Sequence, residues 1–147
     1  LAPIFITTLK DNFMNKFLNI FLLFSLFCFP AFSENVVGLY KTETSDRGGF
    51  LIVEMGPCNK NNSLTCGVIK DALWEDNNTK IDDYEHLNKP IVWGMKNTSS
   101  GIYKKGKIWR PTDDKTFNSK MELKDDKLEV SGCIFVLCSS QTWLKIK

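Results

Sequence analysis

Short runs in which hydrophobic and polar residues alternate recur along the chain after Ser33, separated by turn-forming residues. None of them has the length or the 3.6-residue period of an amphipathic helix. Alternation with period two is clearest in residues 117–123 and, after the Asp125-Asp126 turn, in residues 128–132. The apolar face of the first run carries Phe117, Ser119, Met121 and Leu123. This pattern predicts an antiparallel hairpin.

Eight runs of this kind are joined by hairpin-length turns, except for a polar stretch at residues 75–89 that we predict to be a long loop with room for one helical turn. The predicted strands are residues 36–42, 50–55, 66–74, 91–96, 102–109, 117–123, 128–132 and 141–146. An antiparallel meander must protect its edge strands, and closure into a barrel does so. We therefore predict an all-β fold, an antiparallel lipocalin-like barrel of about eight strands, with a β-sandwich as the alternative. Such a barrel is filled by side chains or holds one small ligand.

The residues before Glu34 have the pattern of a targeting segment. Met14 is followed by the positive Lys16 and by an apolar run over residues 17–29, and a small-x-small cleavage pattern ends at Ser33. A retained membrane anchor is the alternative, but a transmembrane helix needs about 20 apolar residues and this run is shorter.

We accordingly predict a signal peptide at residues 14–33, with residues 1–13 an upstream extension or untranslated sequence. Residues 34–147 then form a single domain that is periplasmic or secreted. This domain carries 17 basic and 16 acidic residues, because only Lys10, Lys16 and Asp11 precede it. The balance argues against a nucleic-acid partner, which requires a clustered basic excess. We also expect the domain not to span a membrane after cleavage.

Four cysteines fall within the predicted domain, and they allow three disulfide connectivities. Cys58 and Cys66, and likewise Cys133 and Cys138, bracket short segments between strand-like runs, which favours the pairs Cys58–Cys66 and Cys133–Cys138. The alternative is a four-thiolate zinc site. Zinc knuckles usually have two to four residues between paired cysteines, and an oxidising compartment disfavours free thiolates. We predict two structural disulfides.

Catalytic motifs are absent from the sequence: there is no Gly-x-Ser-x-Gly elbow and no phosphate-binding Gly-x-x-x-x-Gly-Lys loop. The single histidine, His86, lies in the polar loop near Asp82, Asp83 and Glu85. A zinc site requires three or four converging ligands, so this cluster is more typical of a solvated surface. We predict no enzyme activity, no metal and no cofactor.

Aromatic residues are the remaining candidates for function. Together with a few polar groups they are typical of small-molecule cavities, although a domain of this size also needs them as core. The candidate ligand-binding residues are Tyr40, Trp93, Tyr103, Trp109, Phe117, Met121 and Trp143. A small hydrophobic ligand is the first predicted partner. The alternative is an envelope interaction module with a filled core, contacting an unknown protein through residues 75–89 or the apolar tip at residues 134–137.

Several short motifs occur in order along residues 34–147. They are Gly38-Leu39-Tyr40, Pro57-Cys58, Cys66-Gly67-Val68-Ile69, Trp93-Gly94-Met95-Lys96, the segment 106–117, Gly132-Cys133, Cys138 and Gln141-Thr142-Trp143. In these the chain resembles a family of secreted bacterial proteins of unknown function with a lipocalin-like (calycin) β-barrel. Trp109 and Phe117 stand where the family usually has tyrosine, and Asp114 replaces a turn glycine. The resemblance implies a fold and a compartment, and it implies no activity.

Overall fold

A computed structural model describes residues 35–147, so the predicted signal peptide and the residues before it lie outside the described part of the chain. Eight antiparallel strands form a barrel in which each strand pairs with the next and β8 pairs with β1. They are β1 (Gly38–Lys41), β2 (Gly49–Cys58), β3 (Asn61–Trp74), β4 (Pro90–Ser99), β5 (Ile102–Arg110), β6 (Lys115–Lys124), β7 (Lys127–Ile134) and β8 (Leu137–Lys145). The predicted closed antiparallel barrel is confirmed, and the alternative sandwich is not formed.

Two hairpins extend further than the alternation of the sequence predicts. β3 begins at Asn61, so the segment between Cys58 and Cys66, which was expected to connect two strands, is reduced to the turn between β2 and β3. β8 begins at Leu137, within the segment expected to connect strands. Both extensions lie beside a disulfide, and Cys133 and Cys138 are direct cross-strand partners with their Cα atoms 4.1 Å apart. Strand pairing here outweighs the low β-propensity of the local sequence.

Both predicted disulfides, Cys58–Cys66 and Cys133–Cys138, are present. They lie at opposite ends of the barrel. The end that we call the mouth carries the connections at residues 42–48, 75–89, 111–114 and 135–136. The end that we call the base carries the tight turns after β2, β4 and β6 together with the C-terminal residues.

Inward-facing side chains from the eight strands fill the lower part of the barrel. The buried cluster consists of Val36, Tyr40, Val53, Met55, Ile69, Ile91, Val92, Met95, Tyr103, Met121, Leu123, Leu128, Val130 and Trp143. Gly106 takes part in this packing by having no side chain, because a Cβ there would collide with the sulfur of Met95 and the carbonyl oxygen of Trp93.

The long loop at residues 75–89 folds back along β3 and contains turns, with no helical turn. Its backbone N–H groups at Ile81 and Asn88 donate to the carbonyls of Ala72 and Ile69, each at 2.8 Å. Tyr84 packs against the core from this loop. The loop therefore forms part of the barrel wall near the mouth.

Candidate functional site

A large cavity of about 1530 Å³ opens at the mouth, above the filled part of the barrel. Small-molecule sites typically measure about 300–1,000 Å³, so it has room for a ligand with a sizeable apolar body. Apolar side chains form most of its deeper wall, namely Leu51, Ile91, Ile108, Phe117, Val130 and Trp143. The register explains their convergence, since Ile108 is paired with Phe117 across β5 and β6.

Three of the seven residues predicted to bind a ligand line this cavity: Trp109, Phe117 and Trp143. Trp143 is buried, with 1% of its surface exposed, and its indole N–H donates to Gln141 Oε1 at 3.1 Å. Phe117 lies nearer the mouth, where the guanidinium of Arg110 stands 4.8 Å from the centre of its ring. These aromatic rings come from three different strands, β5, β6 and β8.

The other four predicted residues lie away from the cavity lining. Tyr40, Tyr103 and Met121 belong to the buried cluster. Trp93 follows the fully buried Val92, pairs with Lys107 in the ladder between β4 and β5, and is only half-buried. The fold thus divides the predicted set into cavity wall, core and outer wall, and the ligand-binding role of its members stays a prediction.

The long loop contributes a cluster of edge-to-face ring contacts that the sequence did not reveal. The imidazole of His86 contacts Tyr84 and Trp109 edge to face, at 5.3 and 5.0 Å between ring centres. Its Nδ1 is 3.2 Å from Lys89 Nζ, and its Nε2 is 3.3 Å from Glu85 Oε1. Burial, with a smaller effect of the Glu85 charge, raises the pKa of the Tyr84 phenol. His86 is therefore placed to hold the loop against the rim.

Trp109 is fixed from a second side by the β5–β6 turn, because its indole N–H donates to Asp114 Oδ1 at 2.8 Å. Asp114 has a positive φ of 52°, a conformation that aspartate and asparagine tolerate better than most residues. Aspartate therefore performs two roles at this position. It turns the chain, and it orients an aromatic ring at the mouth.

Acidic side chains outnumber basic ones around the mouth. Those that line the cavity are Glu43, Asp46, Asp82, Asp83 and Glu85, against Arg47 and Arg110. Arg110 is bound by both carboxylate oxygens of Asp113, at 2.6 and 2.7 Å, and these hydrogen bonds lower the pKa of Asp113 to about 2. Since Arg110 is neutralised in this way, the mouth presents a net negative field.

The barrel wall is incomplete beside β8. Only Leu144 and Lys145 of β8 pair with β1, because β1 has four residues and β8 has nine. Above them, the backbone N–H of Thr142 donates to Glu43 Oε1 at 2.6 Å. This side chain caps the ladder where β1 ends, and the cavity extends between residues 137–142 and the β1–β2 loop.

Within residues 35–147, no group of three or more His, Cys, Asp or Glu side chains is arranged to hold a metal ion. In the same residues, no helix is long and apolar enough to cross a membrane. The described chemistry of the cavity is that of an apolar pocket with a charged rim. The predicted ligand-binding set named none of the aliphatic wall residues, although alternation places Val130 on the same face as Leu128. Ile108 was harder to assign, because the ladder is irregular between Tyr103 and Gly106 and simple alternation fails there.

A family model described as "Uncharacterized protein conserved in bacteria (DUF2147)" matches residues 38–145. No curated protein matches the chain in sequence. Among solved structures, the chain is similar to protein HP1028 from the human pathogen Helicobacter pylori, which is described as belonging to the lipocalin family. The two share 15% identity at a TM-score of 0.58, over 77% of this chain and 84% of that one. At this identity the likeness supports the fold alone.

Proposed function

Since the chain belongs to this bacterial family of uncharacterized proteins, and its barrel is lipocalin-like, we propose that it binds one small apolar or amphipathic molecule in the mouth cavity. The observation that carries the proposal is the cavity itself, whose deeper wall is apolar while its charged groups are confined to the rim. This arrangement suits a ligand with an apolar body and a polar end left near water. We propose that the protein binds this molecule without catalysing a reaction.

The charge of the rim narrows the ligand class. Five carboxylates face two guanidinium groups there, and Asp113 already pairs with one of the two. An anionic head group would be repelled by this rim, whereas a neutral or cationic head group would be accepted. Because the rim is hydrated, the preference should weaken as salt is raised, with a screening length of about 10 Å at 0.1 M. The proposed ligand is therefore a neutral or cationic amphiphile.

We place this function in the periplasm or outside the cell. Two disulfides fit an oxidising compartment, because thiols in the cytosol are kept reduced. The signal peptide predicted at residues 14–33 gives the same location, although that segment lies outside the described residues.

The first experiment is native mass spectrometry of the protein purified from the periplasm without detergent. Extra mass that leaves on mild activation would identify a bound molecule, and the proposal expects it to be apolar or amphipathic. A bare protein that also fails to take up a hydrophobic fluorescent probe would contradict the proposal. It would favour the alternative, an interaction module without a ligand.

A pair of tryptophan variants tests the location of the ligand. Trp109→Ala removes a ring from the cavity wall, and Trp93→Ala removes the same ring from the opposite side of the sheet to Val92. Loss of ring contacts worth about 1–2 kcal/mol should weaken probe binding roughly tenfold in Trp109→Ala. Trp93→Ala should bind as the unchanged protein does. Equal loss in both variants would count against the mouth cavity.

A further inference from the structure

The hairpin formed by β7 and β8 ends in four consecutive large apolar side chains that face water. Ile134 is 58% exposed, Phe135 94%, Val136 92% and Leu137 77%. Among the large hydrophobic residues that the structure describes, Phe135 and Val136 are the two most exposed. The Cys133–Cys138 disulfide joins the two strands directly behind them. We call residues 134–137 the apolar tip.

The backbone at this tip is unfavourable for the residues it carries. Phe135 has a φ of +53°, a left-handed conformation that is rare for bulky residues, and the first position of such a two-residue turn is usually glycine. The β6–β7 hairpin at the base also has a two-residue turn, and there Asp125 and Asp126 occupy positions with positive φ. A polar residue such as aspartate would therefore suffice for folding at such a turn. A strained aromatic residue in full exposure therefore points to a contact made by the tip.

We propose that the apolar tip docks the barrel on a lipid bilayer, with Phe135 and Val136 inserted at the boundary between head groups and acyl chains. The four side chains present on the order of 500 Å² of apolar surface, whereas a stable protein interface buries about 800 Å² on each partner. The tip is also convex and ends in a single turn. It is too small to hold a second copy of the chain or another folded protein by itself, but a bilayer accepts such a protrusion without a matching surface.

Continuity with the cavity supports the same orientation. Ile134 and Leu137, at the two ends of the tip, also line the cavity. Insertion of Phe135 and Val136 would therefore turn the mouth toward the lipid. Because the rim is acidic, the surface that suits it is zwitterionic and not strongly anionic. The docking itself does not depend on the proposed ligand.

The test is flotation of the purified protein with phosphatidylcholine vesicles. The unchanged protein should float with the vesicles, and Phe135→Asp and Val136→Asp should each reduce the bound fraction at least tenfold. Ile146→Asp is the matched control, since Ile146 is 53% exposed near the base and its replacement should leave flotation unchanged. Phe135→Gly removes the ring while relieving the left-handed position. It should fail to float and yet unfold at a higher temperature, so that misfolding cannot explain the loss.

Absence of vesicle binding by the unchanged protein, or equal binding by Phe135→Asp, would overturn the proposal. A dimer that Phe135→Asp converts to a monomer in size-exclusion chromatography, without vesicle binding, would assign the tip to a second copy and overturn it as well. Uptake of a soluble fluorescent probe is measured on the same variants. Tip variants that lose flotation but keep uptake separate the docking from the ligand-binding proposal.

Discussion

Removing the hydroxyl group of Tyr40 should stabilise the protein. The Tyr40 side chain is fully buried, and its hydroxyl has no hydrogen-bond partner in the structure. A buried polar group without a partner costs about 1–3 kcal/mol. Tyr40→Phe keeps the ring and removes that cost, so we expect the free energy of unfolding at neutral pH to rise by about 1 kcal/mol. In a domain of this size that corresponds to an increase of about 4 °C in Tm.

The same variant should change the response to alkali. Burial, with a smaller effect of the negative charge of Asp126, raises the pKa of Tyr40 from 10.0 to about 12. Between these two pH values the unfolded chain releases the phenolic proton while the folded chain keeps it, so stability falls as the pH rises. Two pKa units correspond to about 2.7 kcal/mol, all of it present below pH 10 and lost by pH 12. Tyr40→Phe should lack this part of the loss, while the raised pKa of Tyr84 leaves a remainder.

Urea denaturation followed by circular dichroism, at neutral pH and at steps up to pH 12, measures both effects. Tyr103→Phe is the control, because Tyr103 faces the same interior and its hydroxyl is not among the buried atoms that lack a partner. The reasoning is refuted if Tyr40→Phe destabilises the protein at neutral pH. It is equally refuted if its alkaline decline matches that of the unchanged protein.

Three further predictions concern the disulfide at the tip, the cavity and the cap on β8. Replacing the disulfide of Cys133 by serines at both positions should lower the free energy of unfolding by about 2 kcal/mol, since the closed loop is short; an unchanged denaturation midpoint under oxidising conditions would contradict it. Gly132→Leu should fill the cavity beside Ile108 and weaken probe binding at least tenfold, whereas Gly56→Leu, where a Cβ meets nothing within 4 Å, should leave binding unchanged; equal binding by both variants would exclude the cavity as the probe site. Glu43→Ala should lower the free energy of unfolding by about 1 kcal/mol, because a backbone N–H of β8 loses its acceptor. Glu43→Gln keeps an acceptor, so it should retain most of that stability in thermal melts. A Glu43→Ala melt identical to that of the unchanged protein would show that the cap is unimportant.

Most of the fold follows from the alternation of the sequence, because a barrel with one buried face imposes period two on every strand. Residues 117–132 state this pattern plainly, and they form the β6–β7 hairpin. The pattern fails where structure is imposed by pairing across the hairpin. Residues 137–140 are exposed on both faces and show no alternation of burial, yet they form strand because their partners in β7 hold them in register.

The site was harder to predict than the fold for a related reason. Trp93 and Trp109 have similar local surroundings in the sequence, because each follows a β-branched residue within a predicted strand. Their positions differ because Trp109 meets the long loop through His86 and the β5–β6 turn through Asp114. Those contacts depend on where residues 75–89 fold back, and no local pattern specifies that. Sequence therefore predicts which kinds of side chain form a cavity wall more readily than which particular residues do so.

The open upper half of the barrel results from two features that act together. Gly106, Ser119 and Gly132 are paired across β5, β6 and β7, so that one inward-facing row has almost no side-chain volume. Met95 fills the space at Gly106, but Gly132 remains part of the cavity lining. β1 is also too short to accompany β8 to the mouth, which leaves the wall open beside residues 137–142. A barrel selected for stability alone would fill the row and lengthen the strand, so both features agree with the proposal of a ligand that enters at the mouth.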